Sequence, residues 1–194
     1  MERKSARRNP GSAPAKKRVS AKDAHADEFL SRAEHALAKQ YLPRITACLS
    51  ELSDEDIWWR PNAASNSAGN LVLHLAGNMH QWIVSGLGGA PDIRNRDAEF
   101  SDTRSIGGRL LAAMLTREVR AANRVLKRLT AADLRAQYTI QKHPHVTGMD
   151  AVQRVVEHVA YHAGQIIYLT KLRLGKDLGF THLPGEKKPR RKQG

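Results

Sequence analysis

One cysteine in 194 residues leaves no partner for an internal disulfide and excludes a CxxC zinc site. That residue, Cys48, lies beside Ile45 and Leu49 in a helical pattern, where a small core side chain is the expected role. No apolar run approaches the length needed to span a bilayer, and the N-terminus has no apolar segment of the kind a secretory signal requires. It has no apolar face for an amphipathic transit helix either. A soluble, cytoplasmic protein without membrane contact is expected. Aromatics are sparse at 5%, and none is interleaved with the basic ends, as a base-stacking surface would require. Strand-like alternation of apolar and polar residues is also missing, which points to an all-α chain.

Positive charge is abundant, at +13 overall. Residues 1 to 22 carry eight Lys or Arg against one acid, and residues 186 to 194 carry five against one, leaving +2 for the body. The first stretch has almost no large apolar residue and cannot bury enough surface to offset its ordering entropy. Expected from this are a disordered basic tail over 1–22, one folded domain over 23–182, and a second disordered tail over 183–194. Sequence-blind, weak contact with nucleic acid through the tails is the partner such ends suit.

The body divides into four long helical patterns. The first runs from about Asp23 to Leu52, with Phe29, Ala33, Ala36, Leu37, Tyr41, Ile45, Cys48, Leu49 and Leu52 at three- and four-residue intervals and Pro43 as a kink or break. Ser53 to Ser67 reads as a packed loop, with Trp58, Trp59 and Arg60. A second helix starts after Asn66 or Ser67 and stops at Gly86-Leu87-Gly88-Gly89. Pro91 to Ser101 reads as a loop. Asp102 is the expected cap of a third helix reaching about Leu129, with Arg109, Arg117, Arg120, Arg124 and Arg128 on its exposed side. A solvated face is the plain reading of those arginines, and an acidic partner surface the sharper one. Thr130 to Gly148 reads as a polar loop, with His143-Pro144-His145 exposed. Thr147 and Asp150 then form a capping pair for a fourth helix ending near Gly175.

The fourth pattern contains His158 and His162. Four residues turn a helix by about 400°, so both imidazoles leave the same face one turn apart and can reach one ion. Such a pair is also compatible with ordinary half-buried histidines, but Val155, Val156, Val159, Ile166 and Ile167 make this helix largely apolar. Buried imidazoles there need partners. His74 lies in the apolar second helix, with Asn78 one turn on. Three neutral imidazoles and an open position suit zinc, nickel, copper or iron.

The segment Asn66-Ser67-Ala68-Gly69-Asn70-Leu71-Val72-Leu73-His74-Leu75-Ala76-Gly77-Asn78, then Asp97-Ala98-Glu99-Phe100, then His158-Val159-Ala160-Tyr161-His162-Ala163-Gly164-Gln165, resembles the DinB-like/YfiT-like metalloenzymes over roughly residues 25 to 182. That resemblance implies an antiparallel four-helix bundle with a divalent metal (Zn, Ni or Fe) held by His74, His158 and His162. Relatives implied by it include thiol-dependent S-transferases and isomerases using low-molecular-weight thiols, and metal-dependent hydrolases. A homodimer is also compatible with it.

Asn78 and Gln165 share faces with the three histidines and are candidates to orient a ligand or a substrate. No HExxH pattern is present, and Glu157, next to His158, is turned about 100° away from it, which makes it a poor general base. Glu99 and Arg60 are loop candidates either to support the ligands from behind or to serve folding, with folding the favoured role, and His25, His35, His80, His143, His145 and His182 read as surface or loop residues. The expected function is that of a metal-dependent hydrolase or thiol transferase. The alternatives are a metal-stabilised binding protein without turnover and a nucleic-acid-associated protein acting through its tails.

Overall fold

A computed structural model of the chain describes residues 21–100 and 106–181. The tails expected to be disordered lie outside these residues, except that residues 21 and 22 already belong to the first helix. Ser101, Asp102 and His182 also lie outside them.

The described residues are mostly helical. Helix α1 (Ala21–His35) continues through a π-helical stretch, Ala36–Tyr41, into α2 (Leu42–Glu51). Pro43 sits in the first turn of α2, directly after the π turn, whose wider ring makes room for the proline within a continuous helix. Helix α4 (Ala68–Met79) likewise runs on into a π-helical His80–Ser85. Helices α6 (Gly108–Leu126) and α8 (Gly148–Leu174) complete the long elements. Both α2 and α4 pack against α6 and α8. The apolar stripes of all four meet in one core that includes Leu37, Ile45, Leu75, Trp82, Leu111, Leu115, Val155 and Ile166. Cys48 is in that core as a free thiol, its pKa pushed up by burial. Among the described residues no helix is long and apolar enough to cross a membrane.

The connections hold more structure than expected. The stretch after Ser53 forms a short helix, α3 (Asp54–Trp58), with Trp58 buried and its indole N–H donating to the Ile106 carbonyl at 3.0 Å. The stretch after Pro91 ends in helix α5 (Arg96–Phe100), which packs on α4. Between α6 and α8 the polar stretch forms α7 (Ala131–Arg135) and an antiparallel hairpin, β1 (Gln137–Ile140) with β2 (His143–Thr147). This corrects the expectation of a strand-free chain. The two-residue turn Gln141-Lys142 has φ of 53° and 65°, the left-handed geometry that a tight hairpin needs, without the Asn-Gly pair that would announce it.

The starts of α3, α4, α7 and α8 follow local chemistry, and that of α6 does not. Ser67 caps α4 in a reciprocal capping box with Asn70, and Thr147 caps α8 by accepting from the Asp150 backbone N–H at 3.1 Å. Helix α6 instead begins at Gly108, after an N-cap glycine that offers no side chain. Its cap is supplied from α3, where Asp54 Oδ1 accepts from the Gly108 N–H at 2.9 Å. The C-terminus of α8 closes on Gly175 at φ 62°, the left-handed residue expected there.

Candidate metal centre

His74 is carried by α4 and faces His158 and His162 on α8, which packs beside it. One ring nitrogen from each lies within 4.8 Å of the others. The Nε2 atoms of His74 and His158 are 2.8 Å apart, and the rings of His158 and His162 are 4.4 Å apart, centroid to centroid, nearly perpendicular. His74 is buried and the other two are half-buried, so the cluster lies at the edge of the core with one side toward solvent.

The remaining ring nitrogens explain why these ones converge. His74 Nδ1 is 2.8 Å from Glu99 Oε2, a distance that requires a proton between them, so Nδ1–H donates to the carboxylate and Nε2 is left with its lone pair facing His158. His162 Nδ1 is 2.6 Å from Gln165 Oε1; the amide oxygen only accepts, so this ring too is protonated on Nδ1 and free on Nε2. Outer partners that fix tautomer and ring orientation are the usual companions of metal-binding histidines. At 2.8 Å the Nε2 atoms of His74 and His158 need a proton or a cation between them: a proton on His158 Nε2 donated to His74 makes a hydrogen bond, whereas a shared cation takes a lone pair from each ring. Burial favours the neutral form of His158 and His162. His158 is pushed down to about 4, mainly by burial and then by the neighbouring His162 and His74. His162 is also lowered by burial, against the opposing effect of its bond to Gln165. The donor set thus fits a divalent ion of the imidazole-preferring kind.

Glu99 is itself held. Arg94 grips it with two parallel bonds, Nε to Oε1 at 2.7 Å and Nη2 to Oε2 at 2.8 Å, and both side chains are more than nine-tenths buried. Burial alone would raise the Glu99 pKa, but the bonds from Arg94 and His74 outweigh it and the carboxyl stays below its ordinary range. Arg94 Nη1 also donates to Gln81 Oε1 at 2.9 Å, and Gln81 donates to Asp92 at 2.8 Å, so the chain of contacts is anchored at the surface. Gly77 makes room for this arrangement: a Cβ there would overlap Glu99 Oε1 and lie 3.3 Å from Arg94 Nε.

The expected residues separate clearly. Gln165 touches the cluster, whereas Asn78, half-buried one turn beyond His74, has no hydrogen bond to the three histidines among the described residues. Of the two roles open to Glu99 from sequence, the less favoured one is observed: it contacts His74 directly from behind. Arg60 does serve folding, donating to Asn70 Oδ1 at 2.9 Å and to the Phe100 carbonyl at 3.2 Å. Glu157 is exposed and accepts from Gln153, away from the site. His80 is part-buried and bonded to Glu118 at 3.0 Å, not on the surface as expected. Arg94 and Gln81 carry no local sequence signal that would place them behind His74.

A cleft of about 480 Å³ is lined by Asn62, Ser65, Asn66, Leu71, Gln165 and Tyr168 among others, none of them charged and none of them one of the three histidines. Gln165 belongs to both the cleft and the His162 contact.

A profile of the family described as "Protein of unknown function (DUF1572)" matches residues 24–186. The chain is similar in structure to a DinB-like protein from Bacillus cereus, with a TM-score of 0.58 and 16% identity over 75% of this chain and 90% of that one. It is also similar to a conserved protein from Enterococcus faecalis, with a TM-score of 0.57 and 19% identity over 79% of this chain and 97% of that one. At such identities the likeness shows the fold. No curated protein matches.

Proposed function

The chain belongs to the DUF1572 family, a DinB-like family, and from that premise we propose that it is a divalent-metal-dependent enzyme whose ion is held by Nε2 of His74, His158 and His162. In this reading the long helices form the antiparallel four-helix bundle, and the site lies where α4 meets α8. The observation that carries it is the convergence of three imidazoles whose proton-bearing nitrogens, on His74 and His162, are already committed to Glu99 and Gln165. Nε2 of His74 and of His162 is thereby left to accept, and the cluster opens these acceptors toward one point.

When bound, a divalent cation would lower the pKa of water or a thiol at its open position, for water on zinc down to about 7. The protein's own residues do the rest. Arg94 and Glu99 hold His74 in register, Gln165 holds His162, and the uncharged cleft beside Gln165 suits a neutral substrate that combines amide or hydroxyl groups with apolar surface. Among the described residues no free carboxylate faces the cluster. Glu99 has both oxygens engaged and Glu157 points away. Water activation usually relies on such a base, while a thiol, acidic enough to ionise on a metal without help, does not. Transfer of a low-molecular-weight thiol is therefore the favoured reaction class, with hydrolysis second.

Elemental analysis of the full chain beside His74→Ala and His158→Ala tests the metal. About one zinc, nickel or iron per chain, lost in both variants, is expected. Folded parent protein that refuses added zinc and nickel would overturn the reading. Assays of the loaded protein with a small thiol and an electrophile, and with ester and amide substrates, then test the chemistry; metal without turnover in either would leave a metal-stabilised binding protein.

A further inference from the structure

Helix α6 has a charge distribution that the metal site does not use. Arg109, Arg117, Arg120, Arg124 and the C-capping Lys127 fall within about 80° of helical arc and extend about 27 Å along the axis, with Arg128 continuing the line. All six side chains are exposed, as is Ala113 in the same arc, whose small side chain lets another molecule approach closely. The single acid of the helix, Glu118, is buried on the opposite side against His80. Two of the cations have acidic neighbours, Arg117 with Glu118 at 3.1 Å and Lys127 with Glu34 at 3.7 Å, yet their side chains remain 72% and 67% exposed, so these pairs are weak. Arg120, Arg124 and Arg128 have no ion-pair partner among the described residues.

The body as a whole is almost neutral at +2, so a helix of net +5 over residues 108–128 leaves the remainder net negative. Charge has been concentrated on one line. Leu110 is the one large apolar side chain exposed on the helix. A bilayer would need an apolar face to insert, but the apolar face of α6 is buried in the core. A protein partner would need an apolar interface centre, and the apolar cleft beside α6, lined by Ile93, Ile106 and Met114, includes only Arg117 of the row. The remaining row of cations suits regularly spaced phosphates, which Arg binds through two parallel N–H groups.

We propose that the exposed face of α6 is a docking surface for the phosphate backbone of duplex nucleic acid, independent of base sequence. Binding by displacement of counterions makes the affinity fall steeply with salt, each phosphate contact contributing about 0.9 to the log–log slope. The test uses the full chain and a fluorescein-labelled duplex of about 20 base pairs, followed by anisotropy between about 50 and 300 mM NaCl. The triple variant Arg120→Gln/Arg124→Gln/Arg128→Gln is compared with Arg135→Gln/Lys142→Gln/Lys171→Gln, which removes equal charge from other elements; circular dichroism establishes that both are folded. Expected for the α6 variant is an affinity at least about tenfold weaker at 100 mM NaCl and a slope smaller by about three, with a much smaller change for the other. Equal losses in both variants, or none in the α6 variant, would assign all binding to the tails and bulk charge and overturn the proposal. Arginine-dependent binding to vesicles containing anionic lipid, with none to the duplex, would overturn it too.

Discussion

At the scale of single residues, the candidate centre depends on groups that never touch the presumed ion. Glu99 orients His74, and Gly77 leaves the space Glu99 occupies. Gly77→Ala adds only a methyl group and keeps every ligand, but that methyl must displace the carboxylate. It is expected to weaken metal binding about 10- to 100-fold, as loss of an outer-shell partner commonly does, and Glu99→Gln should give a similar loss. Competition against a chelator of known affinity measures both. Unchanged affinity in Gly77→Ala would show that the Glu99 to His74 contact does not matter to the site.

Asn70 shows how one element positions another. Its Oδ1 accepts from the Ser67 backbone N–H at 3.3 Å, the Ser67 hydroxyl at 2.8 Å and Arg60 at 2.9 Å, while its Nδ2 donates to the Glu99 carbonyl at 3.1 Å. The start of α4, the Arg60 segment and α5 are thereby joined through one buried amide. Asn70→Ala leaves several buried groups without partners and is expected to cost about 1–3 kcal/mol or more. Ser67→Ala removes one cap and should cost about 1 kcal/mol. Urea unfolding of both variants orders the two losses; equal values would mean that Asn70 acts only as a cap. The α1 to α2 rod and the α8 helix were readable from apolar spacing, Pro43 and Thr147, because those signals are local. The hairpin was not, since its turn residues, Gln141 and Lys142, are ones that ordinarily avoid positive φ and are held there by the strands they connect.

For the whole molecule, acid is the expected weakness. Asp56 is held below the usual carboxylate range chiefly by its hydrogen bond from Arg173, which ties α3 to the end of α8. Asp92 is lowered by its bond from Gln81, and Asp133 by the Thr130 hydroxyl and N–H that complete the cap of α7. A carboxyl with a depressed folded pKa contributes stability above its unfolded pKa of about 3.9, and that contribution disappears as pH falls through the folded value. His158 and His162 are kept neutral by burial in the folded state and protonate more readily once unfolded, so the melting temperature is expected to begin falling below about pH 6.5 and to drop further below about pH 4, where the carboxylates protonate as well. Thermal melts from pH 7 to pH 2 check this, and a flat profile below pH 4 would contradict it.

What the sequence by itself determined is whatever depends on spacing along one helix. That includes the helical class, the apolar stripes that build the core, the shared face of His158 and His162, and the exposed line of arginines on α6. Only the tertiary structure decided what meets across elements. Arg94 and Glu99 lie in and after a polar connection, and nothing in their neighbourhood tells that one will grip the other behind His74. Asp54 likewise caps a helix more than fifty residues away. Helical periodicity fixes direction within an element, whereas the partner of a buried charge is chosen by the packing that desolvates it, and that packing exists only once α4, α5 and α8 are together.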